Sequence, residues 1–202
     1  MAFIETIRPA QAQGKLAQIY QRVRGPGGQV DNVLQVHSLR PHALEGHMAL
    51  YKAVLHHPGN RLPTWFLESI GVLVSILNGC TYCERHHANG LQRLLAGTPG
   101  RYEACVAQLR LEPPGAPFTA AEIAALSYAR KLTLTPGAIA QTDIDVLRAQ
   151  GFADGEILEI NQVASYFAYA NRTVNGLGVS IDGEVMGLSP QALADPDDWN
   201  HE

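Results

Sequence analysis

Four side chains in one short stretch, Glu68, Cys80, Cys83 and His87, are of the types that carry redox and proton chemistry. The two thiols form a Cys-x-x-Cys pair within Asn78-Gly79-Cys80-Thr81-Tyr82-Cys83-Glu84-Arg85-His86-His87. Asn and Gly end helices through a left-handed turn, so the spacing predicts a helix break followed by a new helix whose first turn holds both cysteines. Unpaired backbone N–H groups and the positive end of the helix dipole lower a thiol's pKa there. Three-residue spacing also lets the sulfurs approach for a disulfide. At 100° per residue from Cys80, Cys83 falls at about −60°, His87 at about −20° and His86 at about −120°. His87 rather than His86 is therefore expected at the thiols, where an imidazole can take a thiol proton. Leu91 and Leu94 continue the same stripe, which is expected to face the core. Cys80 is nearer the helix terminus, whereas His87 lies closer in sequence to Cys83. The residues alone leave open which thiol attacks first.

Glu68 cannot reach these groups along a continuous helix, because twelve residues span about 18 Å. Folding the chain back at Asn78-Gly79 removes that objection and brings Glu68 and His87 to similar depth in an antiparallel hairpin. Thr64, Gly71 and Ser75 share the face of Glu68; such small residues permit close helix approach or leave room for a water between Glu68 and His87. A carboxylate in that place fixes the imidazole's tautomer and supports its positive form.

The elements that must position these residues are helical by pattern, and no segment alternates with the period of a strand. One amphipathic stretch runs from Pro9 to Val23 with Leu16, Ile19, Tyr20 and Val23 on one face, and Gly25-Pro26-Gly27-Gly28 ends it in a plain turn. Another starts at Pro41 and stops at His57-Pro58-Gly59. Pro63 opens a helix over Thr64 to Asn78, and the next covers Cys80 to Leu95. The stretch 111–117, with Pro113, Pro114 and Pro117, is a linker. Thr119 with Glu122 predicts a capping box for a helix to Leu132, followed by helices over Thr142 to Ala149 and Asp154 to Leu177. Glu159, Asn171, Val174 and Gly178 stand at the same mutual offsets as Glu68, Cys80, Cys83 and His87, which suggests a degenerate internal repeat with a structural second copy. Residues 1–188 are thus expected to form one all-α domain of two pseudo-repeat halves joined near 111–118. The acidic stretch 189–202 would be a tail, with Trp199 as an anchor on a neighbouring subunit.

Composition narrows the function classes. The chain has 202 residues, 46% apolar and 17% charged, an ordinary globular balance. A net charge of −4 without a Lys/Arg cluster excludes a nucleic-acid partner. The uncharged run from Ser69 to Cys83 is shorter than the ~20 residues of a membrane span. Met1-Ala2-Phe3-Ile4-Glu5 has no basic region followed by an apolar run, so a cytoplasmic location is expected. Three cysteines, two of them in a Cys-x-x-Cys, then favour redox or metal chemistry over a disulfide framework.

Glu68, eleven intervening residues, then Cys80-x-x-Cys83-x-x-x-His87 resembles the active-site motif of the alkylhydroperoxidase D and carboxymuconolactone decarboxylase superfamily. Asn78-Gly79-Cys80 and the segment Phe118 to Gly178, with Asn171-Arg172, are similar to its peroxidase-related branch. The resemblance implies an all-α, alkylhydroperoxidase D-like helical bundle, assembly as trimers or hexamers, and no metal or organic cofactor. It implies a thiol peroxidase that reduces alkyl hydroperoxides or hydrogen peroxide, with an external dithiol or redox protein as reductant. Cys83 would be the attacking thiol, Cys80 the resolving thiol and proton donor, and His87 and Glu68 a proton relay. Some members carry a His just before the second cysteine, where this chain has Tyr82.

Other readings of the same residues are two small buried hydrophobes with a core histidine, or a zinc site of Cys80, Cys83 and His87 with Glu68 or His86. No second ligand pair is found along the chain for structural zinc, and c-type haem requires His where Glu84 stands. An oligomeric redox sensor or disulfide reductase would use the same thiols without peroxide turnover. A lactone decarboxylase would give no reason for a cysteine pair. Cys105 and the histidines His37, His42, His47, His56 and His57 read as ordinary core or surface residues. Arg172 could guide an anionic substrate or form an interface salt bridge.

Overall fold

The computed structural model describes residues 2–25 and 27–187 and is all-α, with no strand among them. Its helices are α1 (Gly14–Arg22), α2 (Asn32–Gln35), α3 (Pro41–Tyr51), α4 (Thr64–Leu77), α5 (Thr81–Leu94), α6 (Arg101–Leu109), α7 (Ala120–Leu134), α8 (Gln141–Ala149) and α9 (Asp154–Leu177).

The centre is α4, in which every residue from Phe66 to Ser75 is buried. A helix apolar all round must be covered on all sides. Here α5, α6, α7 and α9 provide the cover. The long uncharged run in the sequence is therefore the core of the bundle, and no described helix is long and apolar enough to cross a membrane. The closest approach is at Gly71, where a Cβ would lie 2.3 Å from the Phe167 ring of α9. The small residue thus admits α9 rather than a water.

Local signals are met closely. Thr119 Oγ1 accepts the Glu122 N–H at 3.3 Å, while Glu122 accepts the Thr119 N–H at 2.8 Å, which completes the capping box. Gly178, at φ 64°, ends α9. After α1, the Gly28 N–H donates to the Gly25 carbonyl at 2.8 Å. Leu16, Ile19, Tyr20 and Val23 are buried on one face as expected.

Some expectations need correction. The first helix begins at Gly14, because Pro9–Gln11 forms a separate 3-10 turn and Gly14 takes φ 54° between them. Helix α3 continues as a π-helical turn over Lys52–His56 before it stops. The pattern did not predict α6. Leu91 is fully buried, but Leu94, one turn on, is 49% exposed, so the α5 stripe leaves the core at its end. The stretch matched to the helix break by the repeat is unbroken α9, so the sequence offsets have no counterpart in local structure. The tail over 189–202, with Trp199, lies outside the described residues.

Candidate active site

The break between α4 and α5 sets the position of the thiols. Gly79, at φ 63°, lets the Gly79 N–H reach the Ile76 carbonyl at 3.1 Å and the Cys80 N–H reach the Ser75 carbonyl at 2.9 Å. Those two bonds are a Schellman motif, which terminates a helix and reverses the chain. Cys80 consequently caps α5 rather than lying in its first turn, and its Sγ accepts the Cys83 N–H at 3.5 Å. The two sulfurs are 2.9 Å apart, and both thiols are free and buried. A disulfide at about 2.05 Å needs less than an ångström of further approach.

The thiols differ in electrostatics. Hydrogen bonding from the Cys83 thiol lowers the Cys80 pKa against the opposing effect of burial, and the Cys83 N–H and the Asn171 amide add to the lowering. The same bond to Cys80, followed by burial, pushes Cys83 well above the ordinary thiol value. The proton of the pair is therefore held on Cys83, and Cys80 carries the thiolate character. Asn171 is itself fixed, donating to Ser75 Oγ at 3.1 Å and accepting from Asn78 Nδ2 at 3.0 Å.

Glu68 reaches His87 directly: Oε2 lies 2.7 Å from Nδ1, with no water between them. Burial pushes the Glu68 carboxyl up, but the His87 charge and hydrogen bond, aided by His56 and Arg93, outweigh it and leave the pKa below the ordinary value. A carboxylate on Nδ1 fixes the tautomer that leaves Nε2 to exchange protons. Phe167 meets the imidazole edge-on at 4.5 Å.

A cavity of about 50 Å³ joins these groups and is lined by Glu68, Cys83, His86, His87, Tyr51 and Tyr166, among others; Cys80 does not line it. Tyr51 and Tyr166 are kept neutral, their pKa values raised well above normal by burial first and then by Glu68 and by Cys83 respectively. The arrangement places the Cys83 thiol and a carboxylate-bound imidazole along one cavity, with the Cys80 thiol behind Cys83. Among the described residues no group of three or more His, Cys, Asp or Glu is arranged to hold a metal ion.

All four residues singled out from the sequence, Glu68, Cys80, Cys83 and His87, converge on this region, although Cys83 and His87 share the cavity without a direct hydrogen bond. Several neighbours were not legible. His47 and Tyr166 approach at 3.5 Å between Nε2 and the hydroxyl, and His37 packs on His47 at 4.7 Å. His56 packs edge-on against Tyr51 at 5.0 Å. His86 pairs through Nε2 with Glu184 Oε2 at 3.0 Å. These contacts join residues with no shared periodicity. Arg172 is exposed and donates to the Ala168 carbonyl at 2.7 Å on its own helix, away from the cavity. Cys105 is a core residue.

No family model matches the chain, and no curated protein sequence does. Among solved structures, the chain is similar to the alkylhydroperoxidase D core protein from Ralstonia eutropha, an uncharacterised peroxidase-related protein. The TM-score is 0.74 and the identity 23%, over 89% of this chain and 91% of that one. An uncharacterised peroxidase-related protein from a Silicibacter species matches with TM-score 0.73 and 27% identity, over 89% and 91% of the two chains. The debrominase Bmp8 also matches, with TM-score 0.64 and 19% identity over 84% of each chain. In its fold, this chain is therefore similar to the alkylhydroperoxidase D core and to uncharacterised peroxidase-related proteins.

Proposed function

We propose that this protein is a thiol peroxidase that reduces hydroperoxides through a Cys80–Cys83 dithiol–disulfide cycle. The observation that carries the reading is the pair of sulfurs 2.9 Å apart, with Cys83 facing a cavity shared with a carboxylate-bound imidazole. Cys83 is the attacking thiol because it is the one that meets a molecule in the cavity. As its sulfur attacks the terminal oxygen of ROOH, its proton passes along the existing hydrogen bond to the Cys80 thiolate, 2.9 Å away. The O–O bond breaks, Cys83 becomes a sulfenic acid, and the leaving RO⁻ takes a proton from His87 while Glu68 holds the imidazolium. The Cys80 thiol then attacks the sulfenic sulfur, forming the disulfide and releasing water. An external dithiol or a redox protein returns the pair to two thiols by exchange and is itself oxidised to a disulfide. Such a cycle suits a reducing, cytoplasmic setting, and the family resemblance implies a homo-oligomer of trimeric or hexameric form.

The test is titration of the reduced protein with a small organic hydroperoxide while free thiols and intact mass are followed. Loss of both thiols of the pair, the mass change of one disulfide and repeated turnover with dithiothreitol support the peroxidase. Cys83→Ser should abolish consumption, and Cys80→Ser should leave a sulfenic acid that dimedone traps. Thiols unreactive towards peroxide overturn the reading. A single stoichiometric oxidation coupled to a change in oligomer size would make the chain a redox sensor instead.

A further inference from the structure

The chain beyond α9 returns to the cavity. Val179 donates its N–H to the Val174 carbonyl at 3.0 Å, and the Asn32 side chain donates to the Ser180 carbonyl at 2.8 Å and more weakly to that of Asp182 at 3.3 Å. Glu184 then buries its carboxylate, with only 4% of the side chain exposed. Three donors hold it: the Tyr82 hydroxyl at 2.9 Å, His86 Nε2 at 3.0 Å and the Asn32 backbone N–H. A buried carboxylate is tolerated when its oxygens are satisfied in this way, so the contact fixes the segment in one place. Tyr82 and His86, the side chains it grips, both line the cavity, and their rings stack at 4.5 Å.

Gly187 makes a second anchor. It lines the cavity and lies so close to α5 that a Cβ there would come within 2.6 Å of Asn89 Cβ and 2.9 Å of the Asn89 carbonyl carbon. The neighbouring Gly90 lies over the Glu68 carboxylate, at 3.9 Å from its own ideal Cβ position. The segment 179–187 is thus held against α5 at Glu184 and Gly187, and its Gly187 forms part of the wall of the cavity that Cys83 also lines. Within that wall about 50 Å³ remains. One water needs roughly 10–15 Å³ on this measure, so the space holds a few waters and no aromatic ring with its substituents.

We propose that this segment is a specificity strap, latched by Glu184, that admits hydrogen peroxide and short-chain alkyl hydroperoxides to Cys83 and excludes aryl and long-chain ones. The proposal rests on the peroxidase reading for its substrate class, but strap closure can be measured without turnover. Glu184→Ala removes the latch, and Gly187→Ala forces the strap off α5 without altering a charge. Circular dichroism and thermal melts select the variants that fold.

The first readout is alkylation of reduced Cys83, located by peptide mass, with iodoacetamide as the small probe and N-(1-pyrenyl)maleimide as the bulky one. The second is kcat/KM for hydrogen peroxide against cumene hydroperoxide. The wild type should discriminate against the bulky member of each pair. Each variant should raise the bulky-to-small ratio by about tenfold or more, the discrimination a close-fitting pocket exerts. Equal reactivity of both probes in the wild type overturns the strap, as does an unchanged ratio in variants whose 179–187 amides exchange faster. Shifted alkylation without consumption of any hydroperoxide would uphold the strap and overturn the peroxidase. Consumption without discrimination by size would do the reverse.

Discussion

A carboxyl group buried to the extent of Glu68, with 2% of its surface exposed, is ordinarily driven towards its neutral form. It stays ionised here because His87, bonded to it at 2.7 Å, together with His56 and Arg93 favours the charged form by more than burial opposes it. Two consequences can be measured. Glu68→Gln preserves the shape and a hydrogen-bond acceptor for Nδ1–H but removes the charge, and peroxide consumption should fall by about 10²-fold or more, the range of a general acid–base contribution. The variant also tests stability against pH. A carboxylate with a depressed folded-state pKa stabilises fully above its unfolded value, about 4.3, and loses that contribution as pH falls through the lower folded value. The stability difference between wild type and Glu68→Gln should therefore be largest near neutral pH and shrink in acid. Urea unfolding from neutral to strongly acidic pH checks this, and a constant difference would remove the carboxylate–imidazole bond as its source.

At the scale of elements, one glycine and one ring set the packing beside His87. Gly71 lets Phe167 of α9 press against α4, and the same ring meets His87 edge-on at 4.5 Å. Gly71→Ala places a methyl 2.3 Å from that ring, and overpacking of this kind costs about 1–3 kcal/mol. The denaturant midpoint should drop accordingly. Peroxide consumption should fall as well, because the ring that braces His87 must move; a stability loss with full activity would separate the packing from the site. The break between α4 and α5 is the second such device. Asn78-Gly79 announces it in sequence, yet the bond of Cys80 N–H to the Ser75 carbonyl decides that Cys80 caps the helix while Cys83 faces the cavity.

Over the whole molecule, segments far apart in sequence are tied together. Glu159 on α9 accepts the backbone N–H groups of Arg61 at 3.0 Å and Leu62 at 3.0 Å, setting the loop from which α4 starts. Glu159→Ala leaves both donors without this acceptor and should cost about 1–2 kcal/mol. Hydrogen exchange should show lost protection at the Arg61 and Leu62 amides, with cavity residues largely undisturbed. Loss of protection spread evenly through α4 would show that the tie supports the core rather than the loop.

The sequence by itself determined the helical class, the bounds of α4, α8 and α9 to within a residue, the start of α7, and Glu68, Cys80, Cys83 and His87 as candidates. Those features are local: period, caps, a Gly-ended helix, and spacing along one helix face. Helix α6 was not legible because it is short, begins after the left-handed Gly100 and buries little beyond Cys105 and Leu109. Only the tertiary structure decided that Glu68 touches His87 without a water, that Asn171 supports Cys80, and that His37, His47 and His56 gather beside Tyr51 and Tyr166. It also decided that Glu184 grips His86 across 98 residues. Contacts of that kind depend on how helices cross and where loops return, and no local period encodes them. Four residues of the candidate site were therefore readable in advance as types and spacing, while the packing that brings Glu68, Cys83 and His87 to one cavity is tertiary.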